Sequence, residues 1–152
     1  MTMLEEYSKK RNFSKTPEPK PNEDNKSQSK MIYVIQRHHA RKLHYDLRLE
    51  VDGILKSWAV PKEPPIEPNI KRLAVQTEDH PMDYANFEGE IPEGLYGAGK
   101  VEIWDKGHYE PKEITQDKII FTPKGNKLTG TYCLIKTKLD AKSWLFFKKK
   151  EK

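Results

Sequence analysis

The chain has 152 residues and a formal net charge of +5, with 34% charged and 35% hydrophobic residues, which suits one domain rather than two. Its single cysteine, Cys133, excludes an intramolecular disulfide and a zinc site built on cysteine pairs. The absence of a signal-peptide-like stretch and of any run of about 18 apolar residues predicts a cytoplasmic protein that does not contact a membrane. The basic balance suits a polyanionic partner such as nucleic acid, although the excess is modest.

Residues 1–30 form a polar segment ahead of the apolar part of the chain. Within it, residues 4–11 have the best helix signal, whereas residues 18–30 have no aromatic or aliphatic residue and no periodicity. Such composition predicts a flexible tether. We therefore divide the chain into an N-terminal segment, 1–30, and one folded domain, 31–152.

From residue 31 onward, short runs of β-branched and aromatic residues alternate with turn residues. Asp52-Gly53 is a strong hairpin signal, and Pro61 ends the returning strand because it has no N–H to donate. The predicted strands are 31–36, 43–51, 54–60, 72–77, 101–104, a return that starts at 108–109 after a turn at 105–107, 118–122, 128–136 and 144–148. This pattern predicts an all-β barrel or sandwich, and we favour a small closed or partly closed β-barrel with few short helices and a flexible N-terminal segment.

The most informative pattern is the alternating run His44-x-Asp46-x-Arg48. Successive side chains of a strand point to opposite faces, so these three share one face and the apolar residues between them face the core. Imidazole and carboxylate groups bind divalent metals, and a guanidinium binds phosphate through two parallel hydrogen bonds. The run therefore favours a metal-assisted phosphoryl site.

His38 strengthens this interpretation, because the basic segment 40–42 can fold back and bring its ring to the same face. His39 then points elsewhere, as a solvated neighbour. Alternation alone is typical of any half-solvated antiparallel strand, so a purely structural strand stays open at this point.

The stretch Gly94–Lys100 fits the first seven positions of a phosphate-binding P-loop. Val101 stands where that loop needs Ser or Thr, and a strand rather than a helix follows it. We therefore reject nucleotide hydrolysis and predict a tight loop whose glycines allow close backbone approach, either to the site or to another strand.

Longer motifs carry a family resemblance. RHHARKLHYDLRLEVDGILKSWAVPK (37–62), RLAVQTEDHPMDYANFEGEIPEGLYGAGKVEIWDKG (72–107) and SWLFFKK (143–149) resemble the 3′-phosphoesterase module of bacterial DNA ligase D, and KRNFSKTPEP (10–19) resembles the segment before that module's barrel. The ligase and polymerase modules of the parent enzyme are absent, so we expect a free-standing version. The resemblance implies a small β-barrel that heals DNA 3′ ends in repair and end joining. Such enzymes remove a 3′-terminal ribonucleoside and then hydrolyse the remaining 3′-phosphate, with manganese.

Carried over by position, the resemblance implies metal ligation by His38, His44 and Asp46, and phosphate binding and catalysis by Arg48 and His80. Without it, His80 would be assigned as a loop histidine capping a turn. The resemblance also implies a supporting shell of Arg11, Glu18, Gln36, Lys62, Arg72, Glu78 and Tyr84. Asn12 departs from the family pattern, which usually has aspartate there, and this puts retention of both hydrolytic steps in doubt.

The mixed nitrogen and oxygen ligands suit Mn²⁺, but they suit Zn²⁺ as well, and Co²⁺ is a third candidate. The expected substrates are 3′ ends of DNA or of DNA that ends in RNA, a separate DNA ligase and polymerase are the expected partners, and a monomer is favoured. We expect loss of any metal ligand to abolish hydrolysis without unfolding, because the site faces solvent. Two rival functions stay open: a non-catalytic module that binds nucleic-acid ends and recruits repair enzymes, and a metal-dependent phosphatase for small molecules.

Overall fold

The computed structural model describes residues 3–11, 13, 15–19 and 31–150, so Asn12 and most of the predicted tether lie outside the described residues. Within these residues one α-helix, one 3₁₀ helix and nine strands follow along the chain. They are α1 (Met3–Lys9), β1 (Met31–His39), β2 (Leu43–Val51), β3 (Ile54–Val60), β4 (Lys71–His80), the 3₁₀ helix (Met82–Asn86), β5 (Gly89–Ile91), β6 (Gly99–Ile114), β7 (Lys118–Lys124), β8 (Tyr132–Lys136) and β9 (Ser143–Lys148).

The described strands form a closed antiparallel barrel. Its order is β1-β2-β3-β4-β9-β8-β7-β6, the pairing of β6 with β1 closes the ring, and β5 adds an extra strand beside β6. The predicted all-β barrel is therefore confirmed. The hairpin at Asp52-Gly53 is confirmed too, since the two residues have φ of 54° and 81°, as a two-residue turn between twisted strands requires. No helix in the described part of the chain is long and apolar enough to cross a membrane.

The predicted turn at 105–107 is wrong, because β6 runs through these residues without interruption. The Asp105 carboxylate is buried and accepts hydrogen bonds from the Tyr33 hydroxyl and from the backbone N–H groups of residues 126–128. Gly107 has no room for a side chain, since a Cβ there would collide with the Lys124 carbonyl oxygen. Asp105 and Gly107, whose residue types suggest a turn, therefore lie inside a strand and fit it against the turn at residues 124–128.

Other boundaries differ by a few residues. β4 extends to His80 rather than ending at residue 77, so the predicted phosphate-binding histidine is the last residue of a strand. β8 starts at Tyr132 instead of residue 128, and the short β5 was not predicted. The order along the chain is otherwise as predicted, except that the predicted strand 101–104 and the return at 108–109 are one strand, β6.

The molecule has two apolar clusters, one inside the barrel and one outside. The interior contains Leu47, Leu49 and Trp58, all fully buried, which confirms the inward face predicted for β2. The outer cluster lies between the outward face of β1–β3 and a layer made by α1, the 3₁₀ helix and β5, with Tyr7 and Tyr84 at its centre. The outward face of β2 is therefore covered as well.

This cover corrects the expectation that the site faces solvent. Asp46 is only 7% exposed and Arg48 only 4%. The described residues of the N-terminal segment, 3–11, 13 and 15–19, which we call the N-terminal cover, account for part of this burial. Glu18, assigned to the tether from composition, is itself buried, since it pairs with Arg11 and accepts a hydrogen bond from Tyr84. A carboxylate with two such partners stays buried even though residues 18–30 have no aromatic or aliphatic side chain.

Candidate active site

A cavity of about 280 Å³ opens on the outer face of β1–β4, beneath the N-terminal cover. We call it the site cavity. All the residues predicted to bind metal and phosphate line it: His38, His44, Asp46, Arg48 and His80. Four members of the predicted supporting shell line it too: Arg11, Glu18, Glu78 and Tyr84.

The three predicted metal ligands converge, because the hairpin β1–β2 places His38 directly opposite His44. Asp46 lies two residues further along β2, on the same face. His38 Nδ1 is 3.5 Å from Asp46 Oδ2, and His44 Nε2 is 3.2 Å from Asp46 Oδ1. One ligand atom from each residue lies within 4.8 Å of the others. The hairpin turn at 40–42 does fold His38 back onto the strand face, while His39 contacts Glu102 away from the cavity.

Backbone carbonyls determine which nitrogen of each imidazole is free. His38 Nε2 lies 2.7 Å from the Gly97 carbonyl oxygen, and His44 Nδ1 lies 3.2 Å from that of Lys42. A carbonyl only accepts, so these nitrogens carry the hydrogens and the other two direct lone pairs at Asp46. When both rings are neutral, each lone pair faces the carboxylate with no hydrogen between them, and a proton on a ring or a bound cation relieves the repulsion. Such an arrangement is stabilised by a cation, and it is typical of histidines that bind metals.

The electrostatics of this cluster favour a charged carboxylate. Burial disfavours ionisation of Asp46, but the contacts with His38 and His44 and the charge of Arg48 outweigh it and hold the pKa of Asp46 well below its usual range. Burial likewise opposes a proton on His44, yet the neighbouring Asp46 raises its pKa overall. The site thus attracts positive charge to the space between the rings and the carboxylate.

The glycine-rich stretch Gly94–Lys100, which we call the glycine loop, approaches both the candidate metal ligands and strand β1, the two alternatives left open by the sequence. Gly97 supplies the carbonyl that orients His38, and a side chain at Gly99 would collide with the backbone of His39 in β1. Gly97 has φ of 76°, a conformation that favours glycine. The loop is therefore part of the site without being a nucleotide-binding loop.

Arg48 is held beside the metal ligands by a chain of hydrogen bonds. Its Nε donates to Gln36 Oε1 over 2.7 Å, and its Nη2 lies 3.6 Å from Asp46 Oδ2. The Gln36 amide in turn donates to the carbonyls of Tyr84 and Phe87. The guanidinium is thus oriented in the free protein. Gln36, one of the residues predicted for the supporting shell, holds it there although it does not line the site cavity.

His80 is enclosed between two tyrosine rings, with ring centroids 4.8 Å from Tyr7 and 4.6 Å from Tyr84. Arg11 can only donate, so Nε2 accepts from it over 3.4 Å and the hydrogen of the neutral ring is on Nδ1, 2.9 Å from the Glu78 carbonyl oxygen. Arg48 Nη1 also lies 3.2 Å from Nδ1. Burial first, and then the charges of Arg48 and Arg11, lower the pKa of His80 well below its ordinary value. The ring is neutral in the free protein.

Buried ion pairs attach the N-terminal cover to the site. Arg11 Nε is 2.8 Å from Glu18 Oε2, and Arg11 Nη2 is 3.5 Å from Glu78 Oε1. The Tyr84 hydroxyl donates to Glu18 Oε2 over 2.7 Å, and burial raises the pKa of Tyr84 well above its usual value, so it stays a donor. These contacts bring together residues from two distant parts of the chain, 11–18 and 78–84.

Two predicted supporting residues do not reach the site cavity. Lys62 is exposed, and Arg72 donates to the Glu63 carbonyl over 2.9 Å at the start of β4. Conversely, Lys10, Ser57 and Tyr96 are close to the predicted residues but were not predicted. Lys10 Nζ lies 3.0 Å from Glu78 Oε2, and Ser57 Oγ lies 3.3 Å from His80 Nδ1. Only the alternation of β3 could have indicated Ser57, because it falls on the same outward face as Ala59.

The fold and site together define a small antiparallel barrel with a candidate metal centre beside an arginine buried on its outer face. The family model described as the DNA ligase D 3′-phosphoesterase domain matches residues 36–136, and the chain belongs to this family.

Three relatives show the extent of the similarity. The chain is 48% identical over 156 residues to the multifunctional non-homologous end joining protein LigD of Pseudomonas aeruginosa, an alignment that covers 97% of the chain and 19% of that protein. It is 48% identical over 146 residues to the multifunctional non-homologous end joining DNA repair protein LigD of Mycobacterium tuberculosis, and this alignment covers 93% of the chain and 19% of that protein. For the multifunctional non-homologous end joining protein LigD of Mycolicibacterium smegmatis the identity is 49% over 159 residues, and the alignment covers 97% of the chain and 21% of that protein. The chain thus spans about a fifth of the length of these relatives.

Proposed function

We propose that this chain is a metal-dependent phosphoesterase that heals DNA 3′ ends during repair by end joining. It removes a 3′-terminal ribonucleoside and then the remaining 3′-phosphate, leaving a 3′-hydroxyl. The observation that carries the proposal is the position of Asp46, whose Oδ2 is 3.5 Å from His38 Nδ1 and 3.6 Å from Arg48 Nη2. One carboxylate thus joins the candidate metal centre to a group that binds phosphate.

The donor set fits a divalent cation, because two imidazole lone pairs and a carboxylate face one another. We assign Mn²⁺ to His38, His44 and Asp46 on the family resemblance, and the donor chemistry admits Zn²⁺ and Co²⁺ as well. When bound, such a cation polarises a phosphoryl oxygen or lowers the pKa of a water molecule.

Arg48 contributes charge and orientation. Its Nε donates to Gln36, Nη1 lies 3.2 Å from His80 Nδ1 and Nη2 lies 3.6 Å from Asp46 Oδ2. Each Nη carries two hydrogens, so a second N–H on each is left to donate to the non-bridging oxygens of a phosphate in the site cavity. In the hydrolysis, a water oxygen bonds to phosphorus, the bond from phosphorus to the leaving oxygen breaks, and that oxygen takes up a proton. The oriented guanidinium stabilises the negative charge that spreads over the phosphoryl oxygens.

His80 acts as the proton donor only when substrate is present. Its ring is neutral in the free protein, and an anionic phosphate near Nε2 favours the protonated form. Substrate binding and protonation of His80 are therefore linked, and the protonated ring donates to the phosphate or to the leaving oxygen.

A nucleic-acid substrate is supported by the charge around the site cavity. Exposed Arg41 and Lys42 directly follow Ala40 of the cavity wall, and exposed Lys9 lines a neighbouring cavity that shares Arg11 with the site cavity. Cations around a phosphate site suit a polymer backbone better than an isolated phosphate ester. A DNA ligase and a polymerase that act on the healed 3′-hydroxyl are the proposed partners.

The test is incubation with Mn²⁺ and a primer–template duplex that ends in one ribonucleotide, with products resolved by length and by terminal phosphate. We expect a primer shortened by one nucleoside that carries a 3′-phosphate, followed by the 3′-hydroxyl form. Binding without any product would instead support the end-binding module. Hydrolysis of small phosphate esters together with inactivity on the duplex would support the small-molecule phosphatase. Either result contradicts the proposal.

A further inference from the structure

A second cavity adjoins the site cavity. It measures about 280 Å³ and lies between the N-terminal cover and the glycine loop. The two cavities share Arg11, Glu18 and Tyr96 in their walls. A group that extends from a phosphate in the site cavity past this shared wall enters the second cavity.

Tyr96 differs from the other tyrosines of the chain. It is 48% exposed, whereas the other six are buried at 7% exposure or less. Its ring centroid is 4.8 Å from Lys10 Nζ and 5.2 Å from the guanidinium carbon of Arg11. An exposed aromatic ring beside two cations has the chemistry of a surface that stacks on a nucleobase.

The loop that carries Tyr96 holds the ring in a defined place. The N–H of Leu95 donates to the Pro92 carbonyl over 3.2 Å, and that of Ala98 donates to the Leu95 carbonyl over 3.1 Å. The carbonyl of Gly97, the next residue after Tyr96, accepts from His38. The ring is thus connected through one peptide unit to a candidate metal ligand.

We propose that the second cavity binds the nucleoside that leaves in the first hydrolytic step, with its base stacked on Tyr96. The inference rests on the proposed function and assigns a place to its leaving group. The cavity is close to the lower end of the range for small-ligand pockets, about 300 Å³, so it suits a single nucleoside and not a duplex. Stacking also accepts any base, as removal of an arbitrary terminal nucleoside requires.

One consequence separates Tyr96 from the residues that act on the phosphate. A primer that ends in a 3′-phosphate has no leaving nucleoside, so its hydrolysis does not use the second cavity. Removal of the ring therefore affects the first step and leaves the second unchanged.

The experiment compares Tyr96→Ala and Tyr96→Phe with the unmodified protein on three primer–template duplexes. The primers end in a ribonucleoside, in the same ribose without a base, or in a 3′-phosphate. We expect the preference in kcat/KM for the base-bearing over the base-free ribose to fall roughly 5- to 150-fold in Tyr96→Ala, the loss that accompanies removal of one base–aromatic stack. Tyr96→Phe should keep the preference, because it lacks only the hydroxyl that lies 3.4 Å from Lys10 Nζ. All three proteins should hydrolyse the 3′-phosphate at the same rate.

If Tyr96→Ala lowers kcat/KM equally on the base-bearing and base-free primers, the inference is overturned, because the ring would then only support the loop. A matching loss on the 3′-phosphate overturns it too. If the unmodified protein hydrolyses none of the primers, the proposed function fails, and a binding measurement then decides the inference on its own. A terminal 2-aminopurine ribonucleoside should be quenched on binding to the unmodified protein and to Tyr96→Phe but not to Tyr96→Ala; equal fluorescence in all three contradicts stacking.

Discussion

Strand β2 buries both of its faces, but the two faces are stabilised differently. Leu47 and Leu49 point into the barrel, where they are fully buried among apolar side chains. His44, Asp46 and Arg48 point outward, where each contacts another polar or charged group. Apolar contacts are non-directional, whereas buried polar groups need specific partners. Burial alone therefore does not mark a residue as structural, because the outward face is covered and still carries the groups that we propose to bind metal and phosphate.

The largest expected effect is on the outward face. His44→Ala removes one of three candidate ligands, and we expect hydrolysis to fall by about 1000-fold or more, since a metal contributes several kcal/mol to such reactions. Added Mn²⁺ should raise the Tm of the unmodified protein but not that of the variant. His108→Ala is the matched control, because His108 is exposed on β6 away from the cavity. Equal activity of His44→Ala and this control would contradict the metal assignment.

On the inward face the effect should appear in stability instead. Leu47→Ala removes a fully buried side chain and should lower the free energy of unfolding by about 2–5 kcal/mol, because it leaves a cavity in the barrel. Urea unfolding measures the change, and Leu139→Ala, at a side chain 82% exposed, should be close to neutral. Activity per folded molecule should remain in Leu47→Ala. Loss of activity without loss of stability would remove the distinction between the two faces.

Arg48→Lys sharpens the outward face further. Lysine keeps the charge but lacks the planar fork that donates to Gln36 and to a phosphate at once. We expect kcat to fall about 100-fold, as for removal of one oriented donor to a developing anion. Arg37→Lys is the control, since the Arg37 side chain is 37% exposed and pairs with Glu102. A rate equal to that of the control would argue against phosphate contact by Arg48.

The N-terminal cover can be tested through its buried ion pair. Glu18→Gln weakens the contact with Arg11 while keeping an acceptor for the Tyr84 hydroxyl, and we expect it to cost about 1–3 kcal/mol of local stability. Trypsin should then cleave after Lys10, Arg11 or Lys15 faster than in the unmodified protein, with little change in the global unfolding midpoint. Glu88→Gln, at an exposed carboxylate, serves as the control. Unchanged cleavage would mean that other contacts hold the cover.

The smallest expected effects concern pH, where His80 and His44 act in opposite directions. The pKa of His80 is lowered by folding, so its stabilising contribution is present above the unfolded pKa, about 6.5, and is lost as the pH falls. The pKa of His44 is raised, so its contribution is fully present below that pKa and is lost as the pH rises through the folded value. Between pH 7 and 5, in chelator, His44→Gln should therefore lose stability on acidification more steeply than His80→Gln. One proton changes the slope by at most about 1.4 kcal/mol per pH unit, and identical slopes for the two variants in urea unfolding would contradict this assignment.

Much of the barrel follows from local sequence. Alternating residues in β2, the Asp52-Gly53 hairpin and the proline at the end of β3 each act within a few residues, and all of them were placed correctly. The predicted turn at 105–107 is wrong because the partners of Asp105 and Gly107, Tyr33 and the turn at 124–128, are distant along the chain. Turn-forming residues do not reveal whether they end a strand or fit it against another segment.

The site divides in the same way. The shared face of His44, Asp46 and Arg48 follows from a period of two residues, and the hairpin that adds His38 is also local. Family resemblance supplied the remaining site residues, including Lys62 and Arg72, which lie away from the cavity, and it did not indicate Lys10, Ser57 or Tyr96.

The sequence by itself determined the strands, the composition of the outward face of β2 and the family of the chain, because these depend on the order and period of residue types. Only the tertiary structure decided that this face is covered, that Arg11 and Glu18 reach His80 and Tyr84, and that the glycine loop orients His38. The physical reason is that buried polar groups must find partners wherever the fold brings donors and acceptors together, and those partners are far apart along the chain.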